Sequence, residues 1–152
     1  MYKRQLRGLG ELGVPLEGGV RTALLQAAER TAPSMSAAVV GNTLGGLGEL
    51  DVPLEGGVRT ALLQAAESTA PSMDPASVGN TLWGLGQLGG PLEGGVRTAL
   101  LQAVERTAPS MPLAKFGMTL RGLSKLNVAL DGGVRTALLQ ALERVHLTWQ
   151  RA

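Results

Sequence analysis

The chain repeats itself every 38 residues, and its 152 residues hold four such periods. The string PLEGGVRTALLQ begins at Pro15, Pro53 and Pro91, and a fourth version, ALDGGVRTALLQ, begins at Ala129. A period of about 20–50 residues belongs to solenoids and related arrays, in which each unit buries its apolar face only by stacking on its neighbours. A string met four times is therefore first a structural column and only then a motif.

The third copy, residues 73–110, displays the unit most clearly. Asp74 followed by Pro75 reads as a helix start, a capping side chain and then a residue suited to the first turn. Val78, Leu82, Leu85 and Leu88 recur at spacings of four, three and three, an apolar stripe on one helical face. Gly89-Gly90-Pro91 ends that helix and turns the chain. A second helix follows, with Glu93 in its first turn, where the dipole favours an anion. Its stripe is Leu92, Val96, Ala99, Leu100 and Ala103, and Pro109 stops it.

Column matching predicts first helices (A) at 1–12, 37–50, 75–88 and 113–126, and second helices (B) at 16–31, 54–69, 92–107 and 130–149. No alternating strand pattern occurs. The prediction is an all-α protein: a right-handed α-solenoid whose helix pairs span 1–31, 36–69, 74–107 and 112–149. Residues 1–152 form one tandem-repeat domain, with each A helix stacked on the next A helix. Met1 aligns with Val39, inside an A helix, so the chain is expected either to be a fragment of a longer array or to use Tyr2, Lys3, Arg4 and Arg7 as a makeshift cap. The A helix of the second copy carries Gly41, Gly45, Gly46 and Gly48. Each costs about 1 kcal/mol relative to Ala in a helix interior, so these helices are expected to form only where glycine lets two backbones approach.

Composition narrows the function. Cysteine is absent, and His146 is the only histidine, expected as a surface or helix C-terminal cation. No carboxylate pair or nucleophile–base set stands out, so no catalysis, cofactor or metal site is expected. No apolar run reaches the roughly 18 residues of a membrane span, and MYKRQLRGLG lacks the apolar region of a signal peptide. Aromatic residues are 3% of the chain, which leaves the core to Leu, Val and Ala. Two G-x-G-x-x-G strings, at Gly8-Gly10-Gly13 and Gly84-Gly86-Gly89, end helices instead of opening them. They are read as helix-packing glycines, not as a dinucleotide fingerprint.

Charge is uneven. By 38-residue block the net charge is +2, −4, 0 and +4, with Lys3, Arg4 and Arg7 at one end and Lys115, Arg121, Lys125 and Arg151 at the other. Glu17, Glu55, Glu93 and Asp131 each precede Arg21, Arg59, Arg97 and Arg135 by four. That order stabilises a helix by about 0.2–0.5 kcal/mol per pair and reads as a solvated, self-neutralised face in preference to a phosphate ladder. The columns that vary between copies lie on the A helices: Arg4/Asn42/Asn80/Met118, Arg7/Gly45/Trp83/Arg121, Met1/Val39/Ser77/Lys115 and Glu11/Glu49/Gln87/Lys125. Trp83 follows Leu82 of the stripe and is expected at the flank of the core.

The segment Gly79-Asn80-Thr81-Leu82-Trp83-Gly84-Leu85-Gly86-Gln87-Leu88-Gly89 resembles the N-x-L-W-A-L-A-x-L-G helix of the octotricopeptide repeat family, whose unit is a 38-residue helix pair. The likeness extends over all four copies, with Arg7, Gly45 and Arg121 in the tryptophan place of the others. It implies sequence-specific binding of single-stranded RNA along the A helices, as in chloroplast or mitochondrial factors for transcript maturation, stability and translation. On that reading Asn42 and Asn80 supply base-edge contacts and Lys115, Arg121 and Lys125 phosphate contacts, with Arg4, Arg7 and Trp83 on the same face. A similar helical repeat occurs in effector proteins of plant-pathogenic bacteria. The alternative function is accordingly a protein-interaction or scaffold array that binds a peptide or protein. Cut apolar faces at the ends of such an array also predict end-to-end self-association.

Overall fold

A turn of 3-10 helix, Ala-Pro-Ser, recurs at Ala32–Ser34, Ala70–Ser72 and Ala108–Ser110 and marks the joints of the array. The computed structural model describes residues 18–151, with side chains through Leu147. Within them lie seven helices and no strand: α1 (Gly18–Thr31), α2 (Ala37–Glu49), α3 (Gly56–Thr69), α4 (Pro75–Leu88), α5 (Gly94–Thr107), α6 (Leu113–Lys125) and α7 (Gly132–Arg151). Helices α2, α4 and α6 are the A helices of copies two to four, and α1, α3, α5 and α7 are the B helices. The first predicted A helix lies outside the described residues. A stacks on A and B on B, giving the all-α helical-repeat fold that the 38-residue period demands.

The A helices α2 and α4 begin where a capping side chain puts them, whereas α6 follows Pro112, which makes no side-chain cap bond. The Ser36 side chain accepts a hydrogen bond from the Val39 amide at 3.3 Å, and Asp74 Oδ1 accepts one from the Ser77 amide at 2.7 Å. These bonds satisfy amides that the first turn leaves free. At the C-terminal ends of α2 and α6, Asp51 (φ 54°) and Asn127 (φ 59°) take the left-handed conformation. The Val52 amide then reaches the Leu47 carbonyl, and Val128 that of Leu123, each at 3.1 Å.

The B helices start two residues later than predicted, and the glycine pair is the reason. Gly56, Gly94 and Gly132 have φ of +55°, +64° and +56°, which breaks the helix before them. Glu93 therefore stands at the N-cap with extended backbone and makes no side-chain cap bond. Leu54 and Leu92 are buried in the connection instead of on the helix. The carboxylates of Glu29, Glu67 and Glu105 lie in the space that a Cβ at Gly57, Gly95 and Gly133 would fill. The anion at each helix N-terminus thus comes from the preceding repeat, not from Glu93.

The core is one continuous layer between the A and B helices. Val40, Leu44, Leu47, Val78, Leu82, Leu85, Phe116 and Leu123 meet Leu62, Ala65, Ala66, Leu100, Ala103, Val104, Leu138 and Ala141. The A helices touch backbone to backbone. A Cβ on Gly84 would overlap the Leu44 carbonyl, and one on Gly122 the Leu82 carbonyl. On Gly86 it would stand 2.9 Å from the Gly122 Cα. The joints are tied by arginine: Arg106 donates to the Ala70 and Met73 carbonyls at 2.9 Å each, and Arg144 to the Ala108 carbonyl at 3.2 Å.

Candidate nucleic-acid interface

The outer edge of the A layer collects most of the columns that vary from copy to copy, although Ser77 is buried against α2. Because the apolar stripe of each A helix faces the B layer, the residues two or three positions away emerge at this edge. Asn42 lies on α2, Asn80 and Trp83 on α4, and Lys115, Arg121 and Lys125 on α6. Asn42, Asn80, Trp83 and Lys115 are half-buried, and Arg121 and Lys125 are exposed. Arg4 and Arg7 lie outside the described residues. Trp83 sits where its position beside fully buried Leu82 puts it, at the flank of the core.

The structure pairs several of these residues with one another. Lys115 Nζ donates to Asn80 Oδ1 at 2.9 Å and also approaches Met118 Sδ at 3.8 Å. Lys125 Nζ donates to Gln87 Oε1 in the neighbouring copy. Asn80 and Lys115 therefore form one polar unit across the α4–α6 crossing, with the acceptor of the amide engaged and its NH2 group left to donate. Asp74, at the head of α4, is held below the ordinary carboxylate range by the hydrogen bond from the Ser77 amide, helped by the Ser77 hydroxyl and by the charge of Lys115. Among the described residues Arg121 makes no hydrogen bond or ion pair.

Trp83, Ala114, Gly117, Met118 and Arg121 line an open cavity of about 360 Å3 on this edge. A smaller, more enclosed crease that Trp83 also lines is bounded by Gly45, Glu49, Asn80 and Met118 among others. One column, Glu49, Gln87 and Lys125, passes from acidic through neutral to basic along the stack, so positive potential rises toward α6.

Other readings change. Among the described residues, neither Glu55 and Arg59, Glu93 and Arg97, nor Asp131 and Arg135 meet as an ion pair. Arg59 instead donates to the Gly89 and Pro91 carbonyls of the next copy, at 3.5 and 3.2 Å. Arg59 thereby ties two repeats together. His146 is exposed on α7. A cavity of about 420 Å3 that the sequence reading missed lies away from this edge, between Pro109–Leu113 and Arg144–Val145. Among the described residues no helix is long and apolar enough to cross a membrane, and no three His, Cys, Asp or Glu side chains cluster as metal ligands do.

The fold and this edge define the class, an all-α helical-repeat array with a polar, partly basic rim. No protein-family model matches the chain, and no curated protein matches it.

Proposed function

We propose that the chain is a non-catalytic binding module for single-stranded RNA, held along the outer edge of its A-helix layer. The observation that carries this reading is the set of three cations on α6, Lys115, Arg121 and Lys125, at one rim with no carboxylate paired to any of them among the described residues. Cations without a paired carboxylate attract phosphates, Lys115 the least of the three because Asp74 shares its charge, and the half-buried Trp83 beside them offers a face on which a base stacks. The resemblance of residues 79–89 to the octotricopeptide helix supports the same reading, with chloroplast or mitochondrial RNA as the target class.

The test is RNA affinity as a function of salt. Neutralising three phosphates on a single strand gives a slope of log affinity against log salt near −2, from about 0.7 per phosphate. Arg121→Gln and Lys125→Gln each reduce that slope by about 0.7. Affinity that is flat with salt, or unchanged in both variants, contradicts the proposal.

A protein-interaction or scaffold role is the second reading, and one feature favours it. Leu113, Leu139, Leu142 and Leu147 are 44–55% exposed on α6 and α7, and exposed apolar side chains of this kind mark protein contacts. On that reading the α7 leucines, not the α6 cations, govern binding.

A further inference from the structure

The Ala-Pro-Ser joints share one backbone, but an arginine of the following copy ties only two of them. Met35 and Met73 close their turns at φ −70°, ψ 140° and φ −67°, ψ 135°. In both turns the methionine amide donates to the alanine carbonyl, of Ala32 or Ala70, at 3.1 Å. At the second joint Arg106 Nη2 adds two bonds, to the Ala70 and Met73 carbonyls at 2.9 Å each. At the third joint Arg144 takes the same part, with the Ala108 carbonyl at 3.2 Å. The first joint breaks the pattern. Ser68 of α3 stands in that arginine column, and its hydroxyl turns back to the Ala65 carbonyl of its own helix at 3.2 Å. Among the described residues no side chain donates to the carbonyl of Ala32 or of Met35.

We infer that the Ala32 and Met35 carbonyls, beside Ser68, are a docking seat for an arginine side chain of a protein partner, held as Arg106 is held one joint later. The acceptors are preset, because the backbone of the first turn matches that of the second. They lie at the C-terminal end of α1, where carbonyls lack intrahelical partners and the helix dipole favours a cation. Approach is open, since Pro33, Ser34 and Ser68 are all exposed. Charge fits as well: the 38-residue block that carries Ser68 is the most acidic of the four, at −4. Arginine suits the seat better than lysine. One guanidinium nitrogen carries two hydrogens in fixed directions, both used at the second joint, whereas an ammonium is a compact and more strongly hydrated charge. No residue of the A-helix rim takes part, so this inference stands or falls separately from RNA binding.

The experiment titrates the full chain, labelled with nitrogen-15, with capped pentapeptides that carry one arginine, lysine or citrulline among glycines. Citrulline keeps the shape of arginine without its charge. The arginine peptide moves the amide signals of residues 32–36 and 66–69 and binds about tenfold more tightly than the other two. Ser68→Arg supplies the side chain from within the chain, at an exposed position whose column already holds arginine in the other copies. That variant melts at a higher temperature and loses the peptide-induced shifts. Arg106→Ser does the reverse, so that the arginine peptide also moves the amides of residues 70–74. Should Arg106→Ser not fold, Ser68→Arg decides alone. Absence of any shift at residues 32–36, or shifts that survive in Ser68→Arg, overturns the inference. A lysine or citrulline peptide that binds as tightly as the arginine one also overturns it, since the seat then does not select a guanidinium.

Discussion

Gly84 of α4 rests directly on the carbonyl oxygen of Leu44 in α2, with no room for a Cβ between them. The same contact recurs one repeat later, where Gly122 meets the Leu82 carbonyl. Glycine here lowers the intrinsic stability of each helix and permits the close crossing that lines up the rim residues of successive copies. Gly84→Ala is expected to destabilise the fold by about 1–3 kcal/mol through overpacking, although alanine is the better helix former. Gly45→Ala, whose Cβ would lie an ordinary 3.8 Å from the Asn80 carbonyl, is expected to stabilise by up to about 1 kcal/mol. Denaturant melts of the two variants check this pair; equal effects would mean that glycine has no packing role at Gly84.

Asn80 and Lys115 are 35 residues apart in sequence and joined by a 2.9 Å hydrogen bond. Asn80→Ala is expected to cost about 1 kcal/mol, and Lys115→Met a similar amount. In the double mutant the losses are not additive, because one interaction is removed twice. Additive losses in a double-mutant cycle would separate the two residues.

Acid titration reaches the head of α4. Asp74 has its pKa lowered from 3.8, chiefly by the hydrogen bond from the Ser77 amide. A folded pKa below the unfolded one contributes stability that is complete above the unfolded value and is lost as pH falls through the folded value. The melting temperature is therefore expected to decline below about pH 4, and less steeply in Asp74→Asn, which keeps a capping oxygen without the titration. Parallel pH profiles for the two proteins would remove Asp74 from the account.

Much of the fold is legible along the chain because its signals are local. Ser36 and Asp74-Pro75 mark A-helix starts, and Asp51, Gly89 and Asn127 stand in the column that ends each A helix at positive φ. The late start of the B helices was written in the Gly-Gly pairs, but the apolar stripe drew Leu54 and Leu92 into the helix. The rim is less legible. Asn80 with Lys115, Lys125 with Gln87 and Arg59 with the Gly89 carbonyl all join different repeats. Such pairs depend on the stagger between helices, which no spacing within one repeat encodes. From sequence Arg59 pairs with Glu55 four residues before it, because only the intrahelical neighbour is visible there.

The α7 leucines bear on self-association. Leu139 and Leu142 remain 54% and 50% exposed, on the last helix of the described stack. Concentration-dependent association is expected in sedimentation, and Leu139→Glu with Leu142→Glu is expected to suppress it without lowering the melting temperature, since neither side chain is buried. A monomer at every concentration would contradict this.

The central claim, that the A-helix rim binds single-stranded RNA, is tested most directly by selecting from a random RNA library with the full chain at physiological salt. The account predicts enrichment of short unpaired sequences over the starting library, and weaker binding of the selected pool to the Arg121→Gln variant. A selected pool that binds no better than the starting library, or that binds the Arg121→Gln variant equally well, would contradict it.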